Sequence, residues 1–195
     1  FIYQYNNAAS YIDRREAIAF FLNHKDEAQR VEFLQTALKD KNETLRRFVL
    51  QRINGESDSI KTAMRTTVEN IASNDAKSLV RTAALYVLDG YKDASYKTLF
   101  KKAIADSSYS VAGAGLSALS HLDSADALAT ARTLSKQPAK GSLLYALLDI
   151  FSTYGDENDF SYVYNTFEPA GIQTRIGMMD EFGAVLSKES NTNFV

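Results

Sequence analysis

Cysteine and tryptophan are missing from this chain, prolines number two, and glycines number nine in 195 residues. Without cysteine there is no disulfide framework, no thiolate metal site and no cysteine nucleophile. Only His24 and His121 could offer imidazole ligands, and they lie nearly a hundred residues apart, so no clustered zinc set is written here. No Gly-x-Ser-x-Gly elbow occurs for a serine hydrolase. Excess charge of either sign is also lacking: 22 Lys and Arg nearly cancel 24 Asp and Glu. That balance provides no field to recruit nucleic acid or an anionic membrane. The longest apolar runs, at 82–88 and 143–151, are too short to span a bilayer, so the chain reads as soluble. Neither a starting Met nor a signal-like leader precedes FIYQY, and the compartment stays open; the chain reads as a fragment of a larger polypeptide.

Hydrophobic residues make up 45% and charged residues 24%, the composition of a packed globular protein. Apolar residues recur at three- and four-residue steps almost throughout, which predicts helices from about Ser10 onward. FIYQY is the exception: its β-rich composition predicts a short strand or linker over 1–10, a remnant of a preceding domain.

The helical pattern repeats. Segments 13–21, 45–53, 80–88, 111–119 and 143–151 align so that Ile18, Leu50, Leu85, Leu116 and Leu148 share one slot, with Phe21, Ile53, Leu88, Leu119 and Phe151 three places on. Other amphipathic segments lie between them, at 28–38, 59–71, 96–104, 125–134 and 159–167. Each unit is therefore a helix pair that buries its apolar stripe only by stacking on its neighbours. The predicted fold is all-α: an α-solenoid of the HEAT/ARM-like kind over 11–195, about five antiparallel pairs, with a capping helix at 174–187.

Two units carry the same polar signature, Asp40-x5-Arg46 and Asp75-x5-Arg81. Residues six apart on a helix lie about 240° round the axis, so the Asp and Arg of one unit cannot pair with each other. The economical arrangement puts the Asp at the turn before each second helix, accepting backbone N–H groups there, while an Arg of the adjacent unit meets its carboxylate. Asp106 holds the slot in the third such unit, but Ala112 stands where the Arg would be, and the ladder is expected to stop there.

A helix pair with Asp at its internal turn and an aliphatic-Arg pair, Leu45-Arg46 and Val80-Arg81, following it resembles the HEAT repeat. Over roughly 25–155 the resemblance implies an Asp–Arg ladder between repeats; the proline of the family's first helix is missing here. The segment QYNNAASYIDRREAIAFF, with Gln4, Tyr5, Asp13, Arg14 and Ala17, resembles the junction in aminopeptidase N-type zinc metallopeptidases where a β-sandwich hands over to a C-terminal helical domain. That resemblance implies a noncatalytic domain covering the cleft of an upstream catalytic domain, with zinc held by the parent and no cofactor in this segment. The implied partners are the upstream domains of the same polypeptide and peptide substrate in the groove; nucleic acid and membrane are not expected. The alternative is a free-standing HEAT-like scaffold binding a protein or peptide in its groove.

Arginines cluster on the second helices of the first units. Arg14, Arg46 and Arg81 share the ladder slot, whereas Arg15 and Arg47 are either ordinary solvated charges or groove contacts for carboxylates. Gly113-x-Gly115-x-x-Ala118 spells a dinucleotide fingerprint, but it falls inside a predicted helix, where small residues signal close helix approach.

Overall fold

The computed structural model describes residues 1–24 and 26–188. Among them every regular element is helical, and there is no strand. The chain divides into two compact units, Phe1–Lys92 and Asp93 onward.

The first unit holds α1 (Ile2–Asn7), α2 (Tyr11–Phe21), α3 (Glu27–Ala37), α4 (Glu43–Ile53), α5 (Asp58–Asn74) and α6 (Ser78–Gly90). Short polar side chains start most of these helices: Ser10, Asp26, Asn42 and Ser57 each accept a hydrogen bond from a backbone N–H of the first turn. Such caps satisfy donors that a helix start leaves exposed. α4 packs between α2 and α6, while α3 packs against α5, so first helices meet first helices and second helices meet second.

The second unit holds α7 (Lys97–Ile104), α8 (Tyr109–Leu122), α9 (Ser124–Leu134), α10 (Gly141–Tyr154), α11 (Phe160–Phe167), α12 (Ile172–Ile176) and α13 (Met179–Leu186), with single 3-10 turns before α7 and α11. α8 is flanked by α7, α9 and α10, and α10 in turn meets α13. The repeat slots form the core of both units. Ile18, Leu50, Leu85, Leu116 and Leu148 are fully buried, as are Ile53, Leu88 and Leu119. Each such side chain contributes about 1.5–3 kcal/mol by leaving water.

Two expectations are corrected. The first concerns FIYQY, which is a helix rather than a strand. Among the described residues there is no strand for it to pair with. One helical turn instead buries Tyr5, which meets the Phe33 ring edge-on at 5.1 Å and reaches Asp40 with its hydroxyl. Tertiary contacts override β propensity here. The second concerns the capping segment 174–187, which is two short helices, α12 and α13. The break falls at Gly177, a poor helix former, and at Met178, whose side chain is fully buried and whose backbone leaves helical geometry at φ −118.

The small-residue run of α8 lets its neighbours approach. A Cβ placed on Gly113 would stand 2.4 Å from the Ser142 carbonyl carbon, and one on Gly115 would stand 2.9 Å from the Phe100 carbonyl oxygen. The backbones of α10 and α7 therefore press on opposite ends of this run, well inside a helix and away from any strand-to-helix turn.

Candidate functional site

The polar seam of the first unit begins at Asp40, in the turn between α3 and α4. Its Oδ1 accepts from the Asn42 N–H at 2.8 Å, and its Oδ2 accepts from the Tyr5 hydroxyl at 2.8 Å and from Arg14 Nε at 2.9 Å. Arg14 Nη2 reaches Oδ1 at 3.3 Å, and Nη1 donates to the Ala8 carbonyl at 3.1 Å. Both side chains of this pair are more than nine-tenths buried. Burial opposes the Asp40 charge, but the Asn42 N–H, the Arg14 guanidinium and the Tyr5 hydroxyl outweigh it, holding the carboxyl below its usual range.

The next rung repeats the geometry. Arg46 forms a fork on Asp75, Nε to Oδ2 at 2.8 Å and Nη2 to Oδ1 at 2.9 Å, while Oδ1 also accepts from the Lys77 N–H at 2.9 Å. With Nη1, Arg46 donates backward to the Asp40 carbonyl at 2.7 Å. One guanidinium thus ties the turn behind it to the turn ahead. Arg81 likewise donates to the Asp75 carbonyl at 2.8 Å, and in the second unit Asp106 accepts from the Ser108 N–H at 2.8 Å. Ala112, in the arginine slot of α8, is buried and apolar.

A second set of ion pairs, not foreseen from sequence, links first helices. Arg30 of α3 meets Glu56 ahead of α5 at 3.2 Å. In the second unit Lys97 of α7 meets Asp123, the cap of α9, at 2.8 Å, and Arg132 of α9 meets Asp159 at 2.8 Å and Asp156 at 2.9 Å. Lys97 draws the Asp123 carboxyl below its ordinary range. These pairs are wetter than the Asp40 rung and contribute correspondingly less.

Two tyrosines give the first unit an alkaline limit. Burial pushes the Tyr91 hydroxyl up to about 12, and the hydroxyl donates to the Lys61 carbonyl at 3.2 Å. Burial, reinforced by Asp40, also raises Tyr5. Unfolded tyrosine ionises near pH 10, so above that pH the native state holds more protons than the unfolded one. The stability from Tyr91 is complete below about pH 10 and is lost as pH rises through about 12. Urea midpoints measured from about pH 9 to about pH 12 are expected to fall, and Tyr91→Phe to flatten the decline.

On the second-helix layer Arg15 is exposed and Arg47 is half-buried. Arg47 borders a groove of about 290 Å³ between α4 and α6, whose walls include Gln51, Asn54, Leu79, Thr82 and Tyr86. Arg15 stacks over the Phe48 ring, 4.6 Å from its centroid. The ladder thus gathers Arg14, Asp40, Arg46 and Asp75, while Arg15 and Arg47 stand outside it. His24 stacks against Phe21, and its Nδ1 accepts from the Asp26 N–H at 3.2 Å. Among the described residues no group of three or more His, Asp or Glu side chains is placed to share a metal ion. No helix there is long and apolar enough to cross a membrane.

Compared with protein-family models and with curated proteins, the chain matches none.

Proposed function

We propose that this chain is the noncatalytic, HEAT-like α-solenoid of an aminopeptidase N-type zinc metallopeptidase, seated against the catalytic domain so that it restricts peptide access to the active site. The observation that carries this reading is the apolar exposure along α1 and α2. Phe1, Ile2, Tyr3, Tyr11, Ile12 and Phe20 are each between 45% and 80% exposed. A repeat array that ends in water needs a polar terminal face, whereas clustered apolar exposure marks a surface that another body covers. The residues behind the family resemblance also act together. Tyr5 and Arg14 converge on Asp40, Gln4 Nε2 donates to the Asp13 carbonyl at 3.3 Å, and Ala17 is fully buried. This interlock fastens the leading segment to the first repeat, as a junction between domains requires.

Among the described residues no carboxylate–imidazole cluster is placed to share a metal ion. Zinc belongs, in this reading, to the preceding domain, and no chemical step is assigned here. The test joins gene and activity. The coding sequence ahead of Phe1 is expected to contain His-Glu-x-x-His, and the complete polypeptide to hydrolyse alanine p-nitroanilide in the presence of zinc while the isolated chain does not. An upstream sequence without that motif, or turnover by the isolated chain, rejects the proposal.

A further inference from the structure

Two arginines of the first unit converge on one aromatic ring, and a third borders the adjoining groove. Arg15 of α2 and Arg52 of α4 both set their guanidinium carbons over the Phe48 ring, 4.6 and 5.0 Å from its centroid, so the two charges stand within about 10 Å of one another. Arg47 lies beside Phe48 on α4 and borders the groove toward α6. Among the described residues none of the three has a carboxylate at ion-pair distance, in contrast to Arg14, Arg30 and Arg46. Cations held together without counter-charges favour any anion that can bridge them.

The adjoining groove is of a different character. Leu79 and Tyr86, 44% and 48% exposed, present apolar surface on its α6 wall, and Thr82, more than nine-tenths buried, stands between them with a hydroxyl oxygen that has no hydrogen-bond partner. We propose that this face binds an acidic amphipathic segment of a partner protein, with carboxylates on Arg15, Arg47 and Arg52 and an apolar side chain seated over Leu79 and Tyr86. Planar guanidinium forks suit carboxylates, and a groove of about 290 Å³ is sized for side chains. Single-stranded nucleic acid fits less well: the Phe48 ring that would serve as a stacking platform is already covered by the protein's own arginines. The inference holds whatever domain precedes Phe1.

The test is fluorescence anisotropy of the whole 195-residue chain with a short, labelled, C-terminally amidated peptide of glutamates carrying leucine at every third or fourth place. The same peptide with glutamine for glutamate, and an oligo-dT strand, serve as comparison probes. The glutamate peptide is expected to bind and to weaken with added salt. Arg15→Glu with Arg47→Glu is expected to raise its Kd about tenfold or more. Leu79→Asn, which changes the apolar wall alone, is expected to raise it about threefold, and Lys39→Glu with Lys61→Glu, on the first-helix side, to leave it within about twofold. Melting curves establish that each variant is folded, and the Leu79 variant decides the matter if the arginine pair does not fold. Absence of binding, equal binding of the glutamine peptide, tighter binding of oligo-dT, or a Kd unmoved in the folded variants overturns the proposal.

Discussion

Asp40→Ala is expected to lower the unfolding free energy by about 3–5 kcal/mol, the range found when one member of a buried ion pair is removed. The loss comes less from the missing attraction than from what stays behind. Arg14, 8% exposed, keeps its charge without a partner, the Tyr5 hydroxyl loses its acceptor in a buried setting, and the Asn42 N–H is left uncapped. Asp40→Asn retains an acceptor for Asn42 but not the charge, and is expected to fall between wild type and alanine. Asp58→Ala is the control: that side chain is fully exposed, 3.8 Å from Lys61, and its loss is expected to leave the urea midpoint essentially where it is. Urea unfolding followed by circular dichroism measures all three. The same rung sets an acid limit. Because the folded carboxyl is held below its ordinary value of 3.8, its contribution is present above that pH and is lost as pH falls through the lower folded value.

Gly113→Ala is expected to destabilise the second unit by about 3 kcal/mol, although alanine is the better helix former by about 1 kcal/mol. The added methyl would meet the Ser142 carbonyl carbon at 2.4 Å, its oxygen at 2.5 Å and the Leu143 nitrogen at 2.6 Å, all main-chain atoms of α10. Backbone cannot rotate away as a flexible side chain can, so α8 and α10 must separate. Gly183→Ala, in α13, is the matched case: no neighbouring atom lies within 4 Å of its would-be Cβ, and the change is expected to stabilise by about 0.5–1 kcal/mol. Opposite signs for the same substitution in two helices separate close approach from propensity. Equal signs would mean that α8 and α10 are not in backbone contact.

What the sequence reveals and what it hides follow from the range of each constraint. Asp-x5-Arg is readable because both of its ends answer to local geometry. The Asp must reach an N–H two residues ahead, as at Asn42, Lys77 and Ser108, and the Arg must reach the Asp carbonyl six residues back, as Arg46 and Arg81 do. The leucine slots are readable for a similar reason, since helical period fixes which residues share a face. The Lys97–Asp123 and Arg132–Asp159 pairs leave no such mark: 26 or 27 residues separate the partners, and any cation can serve with any carboxylate. FIYQY misleads because its conformation is decided by Phe33 and Asp40, more than 25 residues downstream. Arg15, Arg47 and Arg52 could be counted in the sequence, but their convergence on Phe48 and the adjoining groove depends on how α2, α4 and α6 are set side by side.

The claim on which the rest stands is that a shared charged rung joins successive helix pairs of the first unit, and a double-mutant cycle on Arg46 and Asp75 tests it most directly. With Arg46→Ala, Asp75→Ala and the double variant unfolded in urea, the two-pronged contact at 2.8 and 2.9 Å predicts a coupling free energy of about 2 kcal/mol. Additive losses, with coupling below about 0.5 kcal/mol, would show that the two side chains act independently and that the helix pairs are held by apolar contact alone.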